Sequence, residues 1–414
     1  MSARGEKRLE APRAALEHQR EWFAGLRERG PIVVADADVP HELFRALDLP
    51  YVVNQWWASI CSAKQRAPQY LAEVRARGYP DDVDQYSAIA LGSVLAEDDD
   101  PPWGGLPPVA LYATQRWSDA HEGIADAWAA ETGCDTFVFE KTVDHRVPER
   151  WWERIADDWD EVIGPERVDL MAAELEQLTE VLEERFGRRY DEERLVRILD
   201  LANEQAEWNR RTRDLLARTS PAPIDIVDSI PAVMIPQWHR GTEWARDAAR
   251  RFHDEVESAI ARGDAVCPDE RLRLMWVGRG LWFNLGFYQH FRERYGAVFV
   301  WSMYLAIAAD GYPRHGGAPL RQLAARFACF SDFLGLPGWA DEWYVEQART
   351  HGIDGVVHLV AHDSRSSWFA TKALEDAGIP VLEIDADNAD ARTWDEAAFV
   401  AELESFVECR VSRS

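Results

Sequence analysis

Short apolar runs alternate with longer mixed segments along this chain, most clearly within residues 352–385. There, an apolar run at 356–360 precedes a polar stretch at 362–367, a segment whose apolar residues share one helical face, and another apolar run at 379–384. Continuous apolar strands around a helix are typical of a parallel pair with a crossover helix, because both strand faces are covered. Ligands of open α/β sheets bind beyond the carboxyl ends of the strands. The polar stretch is therefore predicted to face a ligand.

The same alternation predicts two groups of strands with helices between them. From about residue 147 to 218 the pattern changes to long helices, such as 168–186, where apolar residues form one stripe. We therefore predict an α/β protein with two Rossmann- or flavodoxin-like parallel-sheet domains, 1–146 and 263–414, joined by a helical region, 147–262. The predicted strands are 31–34, 49–53, 109–113, 136–139, 272–277, 298–301, 356–360 and 379–384.

Charge and cysteine content narrow the class of protein. The 414 residues carry a net charge of -27, which argues against nucleic acid or an anionic membrane as a partner. The five cysteines show no CxxC spacing, as expected for reduced thiols in a cytoplasmic protein. We find no signal peptide and no apolar run long enough to cross a bilayer.

Several residues could have a chemical function, but their neighbours in the sequence favour a structural role. The Gly278-Arg279-Gly280 run follows a strand, but its glycine spacing is wrong for a dinucleotide site, and a strand-to-helix turn is favoured. His358 lies inside an apolar strand and is predicted to be a core residue. Cys134 and Cys329 are also expected in the core. Cys61 is the cysteine that we place near a ligand cleft.

Several motifs follow one another in a fixed order. They are Pro40-His41-Glu42-Leu43, Cys61-Ser62-Ala63-Lys64, residues 104–107, residues 352–362, Ala377-Gly378-Ile379-Pro380, and residues 392–399. In these motifs the chain resembles subunits of the 2-hydroxyacyl-CoA dehydratase and benzoyl-CoA reductase family, over roughly residues 10–408. The resemblance implies two α/β domains, a related subunit as partner, a 4Fe-4S cluster held by three cysteines, and a CoA thioester as substrate. It also implies a separate ATP-hydrolysing activator that supplies an electron.

The three cysteine positions that the resemblance implies carry other residues. Asp84 stands at the first position, Trp117 at the second, in the turn after the third strand, and Ser367 at the third. Thiolates hold iron–sulfur clusters because soft, charged sulfur matches iron, and an indole cannot replace one. We therefore expect no cluster, no metal and no other cofactor in this chain, with a CoA thioester as its substrate.

The cleft between the two α/β domains is the default ligand site. Its predicted rim combines aromatic side chains, two cations, a carboxylate and an imidazole. The aromatic side chains could hold a flat acyl group, and the carboxylate or the imidazole could transfer a proton. Alternatively, Trp117 only fills the space that a cluster would occupy. The predicted catalytic residues are Asp84, His362 and Ser367, and the predicted substrate-binding residues are Trp56, Trp57, Arg116, Trp117 and Arg365.

Three functions follow from these observations. The first is a cluster-free family member that binds an acyl-CoA and either performs redox-free acid/base chemistry or serves a cluster-bearing subunit as its partner. The second is a non-catalytic structural or regulatory subunit. The third is a conventional 4Fe-4S dehydratase or reductase subunit. The resemblance implies a heterodimer with a related subunit, a homodimer being the alternative, and an ATP-dependent activator as a further partner.

Overall fold

Two four-stranded parallel sheets form the framework of the protein. The computed structural model describes residues 5–82, 84–143, 146–330, 332–361 and 369–409. The strand order is β2-β1-β3-β4 in the first sheet and β6-β5-β7-β8 in the second. Both sheets thus share the flavodoxin-like order, which confirms the predicted fold class. The strands are β1 (Ile32–Ala35), β2 (Tyr51–Val53), β3 (Val109–Gln115), β4 (Asp135–Phe139), β5 (Leu272–Val277), β6 (Ala297–Ser302), β7 (Gly355–Val360) and β8 (Val381–Asp385).

The central strands are mostly apolar because helices cover both of their faces. Every residue of β1 and of β5 is buried. Val34 of β1 pairs with Val52 on one side and with Tyr112 on the other, so the strand has no free edge. The eight predicted strands all lie close to their predicted positions, because a short apolar run is a strong signal for a buried parallel strand.

Helices connect the strands and form the layer between the sheets. The long helices in the middle of the chain were predicted. The N-cap of α10 (Glu192–Ala217), Asp191, accepts a hydrogen bond from Arg194 N at 3.0 Å. The α-helices are α1 (Ala11–Leu26), α2 (His41–Ala46), α3 (Asn54–Ala63), α4 (Ala67–Ala76), α5 (Gln85–Leu95), α6 (Asp119–Thr132), α7 (Trp151–Arg154), α8 (Trp159–Ile163), α9 (Pro165–Phe186), α10 (Glu192–Ala217), α11 (Ile226–Trp238), α12 (Glu243–Arg262), α13 (Arg292–Tyr295), α14 (Met303–Asp310), α15 (Pro319–Phe327), α16 (Asp332–Gly335), α17 (Pro337–Thr350), α18 (Ala370–Asp376) and α19 (Glu396–Cys409).

Helix α11 crosses the interior and was not predicted. Nearly all of its residues are buried, and it contains Pro231 and Pro236. Asp225 caps its first turn by accepting a hydrogen bond from Val227 N at 2.9 Å. The helix contacts α1, α12, α14 and β6, so it links the helical layer to the second sheet.

The hydrophobic core is continuous across the two halves of the chain. One cluster joins the first sheet, the central helices and part of the second sheet, and another surrounds the second sheet and α19. No described helix combines the length and the apolar composition needed to span a bilayer. The domain boundaries at 146 and 263 stay a prediction.

Candidate ligand cavity between the two sheets

The carboxyl ends of the two sheets face each other across a cavity of about 100 Å³. This central cavity is reached by residues at or just beyond the ends of seven strands, which is where parallel sheets bind ligands. The cavity therefore lies where the ligand site is predicted, between the two sheets. The residues at the strand ends are Ala37, Asp38, Gln55, Trp117, Gly278, Arg279, Met303, Tyr304, Ala361 and Asn388.

The remaining wall of the central cavity is mainly apolar. It comes from α11 and from the segments that follow β6, and it contributes several aromatic rings. An apolar, aromatic lining with a few polar groups is typical of sites for small organic ligands. These residues are Met234, Gln237, Trp238, Ile307, Tyr312, Phe330, Leu334 and Tyr344.

A buried aspartate fixes the first-sheet side of the cavity. Asp36, directly after β1, accepts hydrogen bonds from Asn54 Nδ2 at 2.8 Å and from Thr114 Oγ1 at 2.6 Å. It also accepts one from Gln55 Nε2 at 2.9 Å, while Gln55 Oε1 accepts one from Ala37 N at 2.7 Å. Because each amide or hydroxyl has a defined partner, the end of β1 and the start of α3 are held rigidly beside the cavity.

Trp117 forms part of the cavity wall and is contacted there by a largely buried lysine. The Lys141 ammonium lies 3.7 Å from the centroid of the indole, a cation–π arrangement. Lys141 also pairs with Asp332 at 3.3 Å, and Asp332 pairs with Arg167 at 2.7 Å. Burial lowers the pKa of Lys141, and Asp332 partly offsets this. The indole is thus supported by a chain of buried charges.

A second group of buried charges lies behind Tyr312. The Glu42 carboxylate accepts hydrogen bonds from Arg240 Nε at 2.7 Å and Arg326 Nη1 at 2.8 Å. The Arg240 guanidinium also lies 5.2 Å from the ring centroids of Tyr312 and Phe327. This cluster connects α2, the end of α11 and α15, so it determines where the aromatic wall stands.

The turn after β5 supplies the cationic group of the cavity. Gly278 has a φ of 99°, and a Cβ at this position would lie 2.7 Å from the carbonyl oxygen of Leu359. Only glycine fits such a close approach. The next residue, Arg279, lines the cavity and lies over the Tyr86 ring at 5.5 Å. The run therefore forms a tight turn at a strand end, but the predicted helix does not follow it directly, because the next helical segment is the 3-10 helix Leu285–Gln289. The turn also contributes a cation to the cavity lining.

Asp84 lies away from the central cavity. It caps α5 by accepting a hydrogen bond from Ser87 N at 3.0 Å, and its other oxygen is 3.2 Å from His121 Nε2. Both side chains of this pair are fully buried. Asp84 borders a separate pocket of about 250 Å³ between α4, α5 and α6. The expected position on the cleft rim was therefore wrong for this residue, because the start of α5 turns it towards α6.

Trp56 and Trp57 are also placed elsewhere than expected. Both are buried, and Trp57 stacks on Phe23 of α1 with 5.1 Å between ring centroids and donates to Ser93 Oγ at 2.8 Å. Neither tryptophan lines the central cavity, so the expectation that they form its rim is corrected. They pack the helices of the first half together.

Arg116 was expected to bind substrate but lies outside the central cavity. It is exposed and forms ion pairs with Glu122 and Glu140, so it is not part of the cavity wall. Cys61 is fully buried in the core rather than near the cleft, and burial raises its pKa. His358 is buried as predicted, with Nδ1 2.8 Å from Thr371 Oγ1. Cys134 and Cys329 are buried as predicted. His362, Arg365 and Ser367 lie outside the described residues.

The polar residues that do line the cavity were largely missed. Asp38, Gln55, Arg279 and Asn388 follow four different strands, so no local motif connects them. Their common feature is position, because each comes within a few residues of a strand end. A search of all predicted strand ends for polar side chains would have found them.

The described residues at the expected cluster positions do not fit an iron–sulfur cluster. The Asp84 carboxylate is engaged with the α5 amide and His121, and the Trp117 indole lies under an ammonium group. A four-iron cluster requires several thiolates directed at one point, and neither side chain provides one.

The fold and cavity define an α/β protein with a small, largely apolar cavity between the carboxyl ends of two flavodoxin-like sheets. Residues 37–409 match the family model for 2-hydroxyglutaryl-CoA dehydratase, D-component, and the chain belongs to that family. This confirms the resemblance found in the sequence.

Two curated proteins are similar at low identity. The chain is 20% identical to the (R)-2-hydroxyisocaproyl-CoA dehydratase alpha subunit of Clostridioides difficile, covering 100% of this chain and 98% of that protein. It is 22% identical to the (R)-phenyllactyl-CoA dehydratase alpha subunit of Clostridium sporogenes, covering 64% of this chain and 68% of that protein.

Proposed function

We propose that this chain is a cluster-free subunit of a 2-hydroxyacyl-CoA dehydratase-type enzyme. It binds the acyl part of a CoA thioester in the central cavity and serves as the partner of a related, cluster-bearing subunit. The observation that carries the proposal is Trp117, which lines the cavity at a position where the family resemblance implies a cysteine. The low-identity relatives are named as alpha subunits, which supports a role in a multi-subunit enzyme.

The partner role is favoured over independent acid/base catalysis. Asp84, the carboxylate expected to move protons, borders another pocket and is engaged with His121. A general base must reach the proton that it abstracts, either directly or through one water. His362 remains the candidate for proton transfer in this chain. The five cysteines are free thiols, which supports a cytoplasmic location.

Metal analysis tests the cluster-free part of the proposal. The chain is purified without oxygen and assayed for iron and acid-labile sulfide, before and after reconstitution with ferrous iron and sulfide. We expect no stoichiometric cluster in the wild type or in Trp117→Cys, because one thiolate does not hold a four-iron cluster. A full cluster per wild-type chain would show that the conventional subunit is the correct alternative.

Calorimetric titration tests the acyl site. The wild type should bind an acyl-CoA more tightly than free CoA, because the cavity removes apolar surface from water. Met303→Trp should abolish this difference by filling the cavity that Met303 lines. Val181→Trp, on the exposed side of α9, is the matched control and should bind like the wild type. Equal binding of acyl-CoA and free CoA by the wild type would refute the proposed site.

Assembly tests the partner role. The chain is co-expressed with a family subunit that retains the three cysteines, and the complex is sized and analysed for iron. We expect a stable heterodimer whose cluster belongs to the other subunit. Dehydratase activity should require both chains and the ATP-hydrolysing activator. Acyl-CoA turnover by this chain alone, lost in His362→Ala, would instead support independent acid/base catalysis.

A further inference from the structure

Asn388 is the most unusual polar side chain of the central cavity. It is fully buried and lines the cavity just after β8. Among the described residues, neither its Oδ1 nor its Nδ2 has a hydrogen-bond partner. Buried amides are almost always paired, because an unpaired one forfeits its hydration without compensation. The side chain is therefore positioned for a group that the described part of the chain does not provide.

The turn that carries Asn388 is fixed on several sides. The Asp387 carboxylate accepts hydrogen bonds from Ala389 N and Asp390 N, each at 2.7 Å. The Asn388 carbonyl accepts one from Trp282 N at 3.1 Å. Ser62 of the first half donates to the Ala389 carbonyl at 2.7 Å. Because both halves of the chain hold the turn, the backbone of Asn388 is fixed beside the cavity.

The chemistry of the amide restricts what it can recognise. An asparagine side chain offers one acceptor oxygen and two donor hydrogens a short distance apart. A ligand that satisfies both needs a donor and an acceptor on neighbouring atoms. A 2-hydroxyacyl thioester has this arrangement, with the hydroxyl as donor and the thioester carbonyl as acceptor. The corresponding acyl thioester without the hydroxyl can only accept.

We propose that Asn388 recognises the 2-hydroxyl and the thioester carbonyl of the bound acyl group together. This inference rests on the proposed function, which places an acyl-CoA in the same cavity. It assigns selectivity for 2-hydroxyacyl over unsubstituted acyl thioesters to one residue. Sites built to bond a hydroxyl discriminate strongly against analogues that lack it, because the site's own polar group is then left unpaired.

The test compares the two thioesters on three proteins. Dissociation constants are measured for a 2-hydroxyacyl-CoA and the acyl-CoA with the same carbon skeleton. We expect the wild type to prefer the hydroxyl compound by roughly tenfold or more. Asn388→Leu, of similar shape but apolar, should lose that preference while its affinity for the unsubstituted thioester stays within about twofold.

Stability separates recognition from a structural role. Asn388→Leu removes an unpaired buried amide, so its melting temperature should equal or exceed that of the wild type. The matched control is Asn209→Leu, because Asn209 of α10 is buried with an unpaired Nδ2 but does not line the cavity. This control should keep the wild-type preference. Asn388→Ala provides a second removal of the amide if the leucine variant does not fold.

The outcomes distinguish this inference from the proposed function. Tight binding of both thioesters with no preference in the wild type would overturn the role of Asn388 and leave the acyl site intact. A preference that survives in Asn388→Leu or Asn388→Ala would also overturn it. Failure of the wild type to bind either thioester would overturn the proposed function, and this inference with it. Loss of the preference in the Asn388 variants alone supports the assignment.

Discussion

The buried Glu42 cluster allows a quantitative prediction of stability. Glu42, Arg240 and Arg326 are almost completely inaccessible to solvent, and both guanidinium groups contact the same carboxylate oxygen. We consider Glu42→Gln, which keeps the shape and one acceptor oxygen but removes the negative charge. The two arginines then remain buried without a counter-charge, which is the costly way to break a buried ion pair.

The pKa of Glu42 gives the expected magnitude. Burial alone would raise it, but Arg240 and Arg326 outweigh burial and lower it from 4.5 to about 2. At about 1.4 kcal/mol per pKa unit, this difference corresponds to roughly 3 kcal/mol of stability at neutral pH. Removing one partner of a buried ion pair typically costs about 3–5 kcal/mol. Both routes therefore predict a loss of about 3 kcal/mol or more in the free energy of unfolding.

Denaturant unfolding at several pH values checks the prediction. The folded-state pKa of Glu42 is depressed, so its contribution is present above pH 4.5 and is lost as the pH falls towards about 2. The deficit of Glu42→Gln should thus be full at pH 7 and shrink below about pH 4.5. Glu207→Gln, which breaks an exposed pair with Arg210, should cost less than about 1 kcal/mol. A deficit below about 1 kcal/mol in Glu42→Gln at pH 7 would refute the reasoning.

Two further predictions concern buried groups of the sheet domains. Asp84→Ala removes the α5 cap and the contact with His121, so it should lower the free energy of unfolding by at least about 1 kcal/mol, measured with denaturant. Its affinity for acyl-CoA should equal that of the wild type, and a tenfold weaker binding would contradict the placement of Asp84 away from the acyl site. Burial lowers the pKa of His358 from 6.5 to about 4. Between pH 6.5 and about pH 4 the unfolded chain binds this proton and the folded chain does not, so the free energy of unfolding decreases as the pH is lowered. His358→Gln should show a shallower decline in melting temperature from pH 7 to pH 4.5, and an unchanged slope would argue against this origin.

The strands were predictable because their signal is local. A parallel strand covered on both faces is mostly apolar, as β1 is throughout, and such a run is visible without knowledge of its neighbours. Helix α11 was not predicted, because its sequence lacks a comparable local signal. It is buried on all sides and contains two prolines, so it lacks the polar face that marks an amphipathic helix.

The position of the central cavity was predictable, but the side chains that line it were not. Parallel strands bring their carboxyl ends to one edge, so the cavity position follows from strand order alone. Which side chains enter it depends on how each helix starts. The direction of α5 carries Asp84 towards His121, and the packing of α1 on α3 buries Trp57 against Phe23. These orientations are tertiary effects that no spacing in the sequence encodes.

The side chains around Trp117 show how a tryptophan could be stabilised in a cluster-free member of this family. An indole needs more than space, because its ring face must meet compatible groups. Lys141 covers that face, Asp332 compensates the lysine, and Arg167 compensates the aspartate while donating to the Ala328 carbonyl at 2.9 Å. Arg167 and Asp332 are buried and Lys141 is largely buried, so removing one charge would leave its partner uncompensated. The tryptophan is therefore one member of a connected set of side chains rather than an isolated exchange, and the loss of thiolate chemistry that we propose is coupled to the packing of the whole cavity wall.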